Sequence, residues 1–286
     1  MAERSYLNPR RVFALLFVIG AAASASLAVA ASIDELKSRS VKIAIGNEPP
    51  FTELKPDGTL TGVGPDIDRA VLGQTGMSKF EGVVMEYGAM IPGVQARRVD
   101  IVSSGGLNIR PDRCEQVIFS NPIICSGTAF LTNKDKVAKA KSWKDVVDNG
   151  FSVAVPPGTI HEKMAFAKGL PRERIIPFPD GQSAVKLLQD GRVDIVVLPD
   201  ATILELQKKA ADPKLGVVLP VPDDEIACTG AAFHKDDTAL RDAYNVGLAK
   251  IIQDGTFTKI MTAYGFVANA KMLSLKTTAQ LCAPKP

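Results

Sequence analysis

A nine-residue string occurs twice in this chain. Val94-Gln95-Ala96-Arg97-Arg98-Val99-Asp100-Ile101-Val102 returns as Leu188-Gln189-Asp190-Gly191-Arg192-Val193-Asp194-Ile195-Val196, with six of nine positions identical. Each copy reads as a helix end, a tight turn and the entry into a buried strand. Each also follows an earlier strand-like run, Val41–Ile45 before the first copy and Phe151–Val155 before the second. Two parallel matches in the same order predict two similar α/β lobes. Crossover helices are expected over Pro65–Leu72, with Pro and Asp in its first turn, and over Ser183–Leu188. A strand–helix–strand unit within one sheet implies parallel pairing through a right-handed crossover. Each lobe is therefore expected to be a mostly parallel sheet flanked by helices.

After the second lobe the chain is expected to return to the first. Ala231–Phe233 reads as a short buried strand, and Asp237–Asp254 places Leu240, Tyr244, Leu248 and Ile251 on one helical stripe ended by Gly255. A shorter helix carries Phe257, Ile260, Met261 and Tyr264. With no third lobe to cover, these elements pack back on the first. The chain must then cross between lobes twice, near residues 129–132 and 227–230. Two crossings make a hinge and leave a cleft, where ligands bind. The expected organisation is a leader at 1–30, lobe 1 at 31–130, lobe 2 at 131–227, and a return to lobe 1 with a C-terminal tail at 228–286.

The first thirty residues read as an export signal. Arg4, Arg10 and Arg11 precede the apolar run Val12–Ile19, and small residues end at Ala28-Val29-Ala30. The competing reading is an uncleaved membrane anchor, but a run so rich in Ala and Ser inserts weakly. Cleavage is expected near Ala30, by the general route or the twin-arginine one, which Arg10-Arg11 faintly resembles. Outside the leader, 31 basic and 30 acidic residues remain. That balance, and the lack of a basic cluster with interleaved aromatics, argues against a nucleic-acid partner. The four cysteines suit an oxidising compartment. They show no CxxC pair, and with only His161 and His234 to join them no metal site is expected. Cys228–Cys282 is the favoured bridge, because the polar tail has little else to hold it. Cys114 and Cys125 are left open between a second bridge and buried thiols.

Three stretches resemble the family 3 extracellular solute-binding proteins: Asn47-Glu48-Pro49-Pro50-Phe51, Thr61-Gly62-Val63-Gly64-Pro65-Asp66-Ile67-Asp68, and Gly106-Leu107-Asn108-Ile109-Arg110-Pro111-Asp112-Arg113. Within the family, Met90-Ile91-Pro92-Gly93 and Arg113-Cys114-Glu115-Gln116-Val117 look most like the ectoine- and hydroxyectoine-binding branch. The resemblance implies the two-lobed periplasmic binding protein fold, a small zwitterionic ligand, a membrane ABC importer permease as partner, and no cofactor. A periplasmic monomer is expected.

The resemblance also nominates a site. Arg113 offers a planar fork of donors for a carboxylate. Gly106 and Asn108 match ligand-hydrogen-bonding positions. Gly158 and Thr159 sit where a helix should begin, so their free N–H groups would favour an anion; the alternative is an ordinary strand-to-helix turn. Glu48, Phe51 and Tyr87 match positions that contact a cationic ring, although both aromatics also read as core. Asp200 is a possible helper, beside Pro199 where the family's amine-binding Asp aligns. Asn108 stands where an aromatic is expected in the ectoine branch. His161 is expected on a helix surface near the cleft, His234 beyond the hinge, and Trp143 in packing under the second lobe. The leading function is solute capture by lobe closure. The alternative is an exported enzyme on the same scaffold, such as a cyclohexadienyl dehydratase.

Overall fold

The structure is a computed structural model that describes residue 1 and residues 32–222, 226–266 and 276–284. The leader therefore falls outside the described residues. In chain order the strands are β1 (Val41–Ile45), β2 (Glu53–Leu54), β3 (Leu60–Thr61), β4 (Phe80–Val84), β5 (Ile101–Val102), β6 (Ile118–Phe119), β7 (Ile124–Ser126), β8 (Thr128–Asn133), β9 (Val153–Val155), β10 (Ile175–Pro177), β11 (Ile195–Pro199), β12 (Leu215–Val218), β13 (Ala227–Thr229) and β14 (Ala232–Phe233). They build two five-stranded sheets, β4-β1-β5-β14-β6 and β10-β9-β11-β8-β12. In each, three parallel strands are followed by one antiparallel strand and then by a fifth that runs with the first three.

The repeated string explains why the two sheets match. Asp100 exchanges hydrogen bonds with Lys42, its carboxylate accepting the Lys42 N–H at 2.8 Å and its own N–H donating to the Lys42 carbonyl. Asp194 does the same with Ser152, accepting its N–H at 2.8 Å. Each aspartate thus locks its strand against the head of the neighbouring parallel strand. Each also holds a cation from outside the repeat, Arg39 for Asp100 and Lys136 for Asp194. The residues that follow, Ile101-Val102 and Ile195-Val196, are fully buried on alternating faces. Ile101 packs with Ile43, Ile67 and Tyr244, whereas Val102 packs with Met90, Val94 and Val117 on the other face. In the second sheet Ile195 joins Trp143 and Ala165, and Val196 joins Ala184 and Leu188. Both sheets are therefore covered by helices on both faces, as buried parallel strands require.

The return is also built. Helix Thr238–Gln253 lays Leu240, Tyr244, Leu248 and Ile251 against the first core. The two crossings run side by side as β7 and β13, an antiparallel pair that belongs to neither five-stranded sheet; the first therefore falls at Ile124–Ser126 rather than near residues 129–132, which lie within β8 of the second sheet.

The expected Cys228–Cys282 bridge is corrected. Cys228 lies directly opposite Cys125 in the β7–β13 register, and these two are joined. Cys282 ends the tail helix Thr278–Cys282, which packs beside helix Pro111–Cys114 and is bonded to Cys114. The tail is tied down as expected, but to the first lobe rather than to the hinge. Its bridge anchors the short helix that carries Arg113. Because Cys114 and Cys282 are 168 residues apart, Cys282→Ser should cost about 2–4 kcal/mol in denaturant unfolding. A smaller loss than about 1 kcal/mol would mean that tail docking holds without the bond.

Candidate functional site

Parallel strands that end together leave a crevice beyond their carboxyl ends, and both sheets present such ends to a shared cleft. Glu48 and Phe51 follow β1, Tyr87 follows β4, and Gly105, Gly106 and Asn108 follow β5. From the second sheet come Thr159, Ile160 and His161 after β9, and Pro199 at the end of β11. The crossing strands add Ser126 and Thr229. The Thr61–Asp68 stretch supports this wall. A Cβ on Gly64 would sit 2.4 Å from the Gly105 nitrogen, so glycine is needed where the helix start meets the site loop. Asp68 then accepts from Ser103 Oγ at 2.6 Å, the Ser104 N–H at 3.1 Å and Tyr244 Oη at 2.5 Å, pinning the loop that leads to Gly105.

Two charges of opposite sign line the cleft, Arg113 buried and Glu48 half-buried. Arg113 is 5 % exposed. It donates Nη1 to the Asn108 carbonyl and Nη2 to the Gly158 carbonyl, each at 3.0 Å. Among the described residues no carboxylate lies within ion-pair distance of it. Burial, reinforced by Arg110, lowers its proton affinity. Glu48 accepts from Tyr87 Oη at 2.5 Å and from Thr202 Oγ1 at 2.8 Å. Burial raises its pKa, against the pull of those two donors. Tyr87 is pushed up in turn, first by burial and then by Glu48. Both shifts have one cause: each charge has lost water without gaining a counter-ion. A ligand with an anionic and a cationic pole would supply both.

The aromatic members serve core and cleft at once. Phe51 is 3 % exposed, meets Phe266 edge-on at 4.9 Å, and still lines the cleft. The lobes touch around the cavity through Glu48–Thr202, Arg113–Gly158 and the Lys163–Asp112 ion pair.

Seven of the nominated residues, Glu48, Phe51, Tyr87, Gly106, Asn108, Arg113 and Thr159, come together around this cleft. Two do not. Gly158 gives its N–H to Glu162 Oε2 at 2.7 Å, while its carbonyl faces Arg113. Helix Ile160–Ala167 does begin here, with Thr159 as its side-chain cap. The N–H groups that lack an intrahelical partner by position are those of Ile160 and His161. Asp200 turns its carboxylate onto the Ala201 and Gly127 N–H groups at 2.7 and 3.3 Å, away from the cleft lining. His161 was expected on a helix surface; it is 5 % exposed and faces the cleft. Its place in the first turn of a helix entering a cleft was the available signal. Nothing in the sequence marked Ser126, Thr229 or Thr202.

The pattern of the bacterial extracellular solute-binding proteins, family 3, matches residues 41–267. The probable amino-acid ABC transporter periplasmic-binding protein y4tE of Sinorhizobium fredii (strain NBRC 101917 / NGR234) is 32 % identical over 289 residues, covering 98 % of this chain and 96 % of that protein. The crystal structure of EhuB in complex with hydroxyectoine superposes with a TM-score of 0.84 at 44 % identity, covering 89 % of this chain and 98 % of that one. The ancestral amino acid-binding protein AncCDT-1, a precursor of cyclohexadienyl dehydratase, gives a TM-score of 0.71 at 28 % identity, over 82 % of this chain and 99 % of that one.

Proposed function

The chain belongs to the bacterial extracellular solute-binding proteins, family 3, and from that premise we propose that its cleft captures a compact zwitterion, a cyclic amidine of the ectoine kind ahead of a linear polar amino acid. It is the solute-binding component of an amino-acid type ABC importer, with a small-molecule ligand and a membrane transporter as partner. Proteins of this kind are exported.

The observation that carries the ligand class is the pair of charges without a counter-ion among the described residues, the buried Arg113 and the half-buried Glu48. Removing one partner from a desolvated charge pair is costly, so a site built with one half of each pair favours the molecule that completes both. Arg113 suits a carboxylate by geometry. At the other pole Glu48 stands with Phe51 and Tyr87, a carboxylate with two aromatic rings. That combination favours a flat, delocalised cation over a compact, strongly hydrated ammonium. The likeness to EhuB, solved with hydroxyectoine, supports the same choice.

Asn108 is the polar exception in this wall, and it lines the cleft beside Arg113. An exported enzyme on this scaffold has less behind it. Glu48 is the carboxylate among the cleft-lining residues, and both its oxygens already accept hydrogen bonds. Titration calorimetry with ectoine, hydroxyectoine, arginine, glutamine and aspartate tests the reading. The cyclic amidines are expected to bind most tightly. A tight complex with a linear amino acid, and none with either ectoine, would overturn the ring preference. Turnover of prephenate or arogenate would overturn the binding-protein reading itself.

A further inference from the structure

The two charged poles leave three polar side chains of the cleft without a hydrogen bond to a described residue, Asn108, Ser126 and His161, and His161 is the most buried of them. His161 is 95 % buried by its exposure of 5 %, and it lines the cleft from the first turn of helix Ile160–Ala167. Its ring makes no hydrogen bond to any described residue. The side chains capping the helix start around it are engaged with one another. Thr159 Oγ1 receives the Glu162 N–H and donates to the Pro156 carbonyl, and Glu162 returns to the Gly158 N–H. A histidine kept for packing alone satisfies its ring nitrogens within the fold, because an unpaired buried polar group costs stability. A cleft histidine left unpaired is matched by something that arrives.

What it matches follows from its chemistry. Burial is the sole cause that lowers the pKa of His161, to about 4, so it is neutral at any physiological pH. A neutral imidazole offers one donor and one acceptor. Arg113 only donates, and an ionised Glu48 only accepts. The ring is thus suited to a group that is polar but uncharged.

Resting on the zwitterion reading above, we infer that His161 is a specificity-determining residue that hydrogen-bonds an uncharged polar group of the ligand, such as a hydroxyl. The cleft therefore prefers a hydroxylated zwitterion to the same molecule without the hydroxyl.

A matched pair tests this: ectoine and hydroxyectoine differ by that one group. Wild-type protein should bind the hydroxylated member about tenfold more tightly, the worth of one neutral hydrogen bond made in place of an unpaired group. His161→Phe should erase the preference by weakening only the hydroxylated ligand, and His161→Gln, which keeps a donor and an acceptor, should restore part of it. An unchanged preference in His161→Phe overturns the inference, and so does an equal loss for both ligands, which would make the residue structural.

A second measurement does not depend on the ring reading or on a His161 variant that folds. The chain has two histidines, His161 and His234, so substituting His234 alone assigns both sets of imidazole nitrogen resonances. Saturation with whichever zwitterion of the panel binds should move the His161 ring nitrogens and leave those of His234 in place. Static His161 resonances on saturation would overturn the inference even if the ectoines prove to be the ligands. Failure of both ectoines to bind, with His161 moving on addition of another zwitterion, would sink the ring preference alone.

Discussion

Arg113→Ala abolishes ligand binding and leaves the unliganded protein as stable as before, or more so. The two halves of this expectation have the same origin. In the free protein the guanidinium is buried against two backbone carbonyls, with no carboxylate within ion-pair distance among the described residues. A buried cation of that kind has given up hydration for neutral partners, and exchanging such groups for apolar ones is often neutral or stabilising. In the complex the ligand carboxylate would complete the pair, and truncating one partner of a buried charge pair costs about 2–5 kcal/mol. Calorimetry should therefore find no heat of binding at ligand concentrations that saturate wild type. Thermal unfolding without ligand should show no loss. Arg113→Lys is expected to fail nearly as badly, because an ammonium cannot reach the Asn108 carbonyl, the Gly158 carbonyl and both oxygens of a carboxylate from one planar fork. Retained affinity in either variant would remove Arg113 from the site. A marked loss of stability would show that its two carbonyl contacts matter to the fold rather than to capture.

The lobes were readable because their defining feature occurs twice. Asp100 and Asp194 each follow a turn and bond the strand that precedes it in the same lobe, 58 and 42 residues back. A repeated device leaves a repeated string. Even the turn matches: Arg97 and Gly191 occupy the same position of the repeat, and both adopt the left-handed conformation, at φ 53° and 70°. Glycine takes that conformation without strain, whereas the arginine is held in place by its ion pair to Asp237. The cysteine pairing was not readable in the same way. It depends on where a C-terminal tail docks and on which crossing strands meet, and neither leaves a periodic trace. Cys125 faces Cys228 only because two strands 103 residues apart run antiparallel side by side.

The site divides along the same line. Glu48, Phe51 and Arg113 sit in motifs that could be recognised as strings. Gly158 and Asp200 were misjudged because their polar groups are absorbed close by in the chain, by Glu162 and by the Ala201 and Gly127 N–H groups. A helix start marks a place where N–H groups can be free, but a glutamate four residues on from Gly158 occupies one of them. His161 was passed over because a lone histidine carries no pattern. Only the surrounding packing shows that it is buried, unpaired and turned to the cleft.

Asp68→Ala is expected to be the most destabilising single change at a position that does not line the cleft. The carboxylate is fully buried and gathers Ser103 Oγ and the Ser104 N–H from one loop and Tyr244 Oη from a helix of the first lobe. Tyr244 lies on the returning helix Thr238–Gln253, so this one side chain ties the return to the loop before Gly105. Truncation leaves several buried donors without an acceptor at about 1–3 kcal/mol each, and a total loss of about 3–5 kcal/mol is expected because hydroxyls can partly re-pair. Urea unfolding measures it, and ligand affinity should fall with it as the site loop loosens. The pH dependence gives an independent check on the cause. Burial raises the Asp68 pKa from 3.8 to about 6, so the folded state holds this proton more tightly than the unfolded state does. Stability from this group is then greatest below about pH 4 and is lost as pH rises through about 6. Asp68→Asn cannot titrate. The stability difference between wild type and Asp68→Asn should therefore shrink between pH 4 and pH 7, with wild type losing ground as its carboxyl ionises. A difference that stays constant across that range would mean that the three donors hold Asp68 at an ordinary carboxylate pKa. A difference that grows with pH would mean that they outweigh its burial.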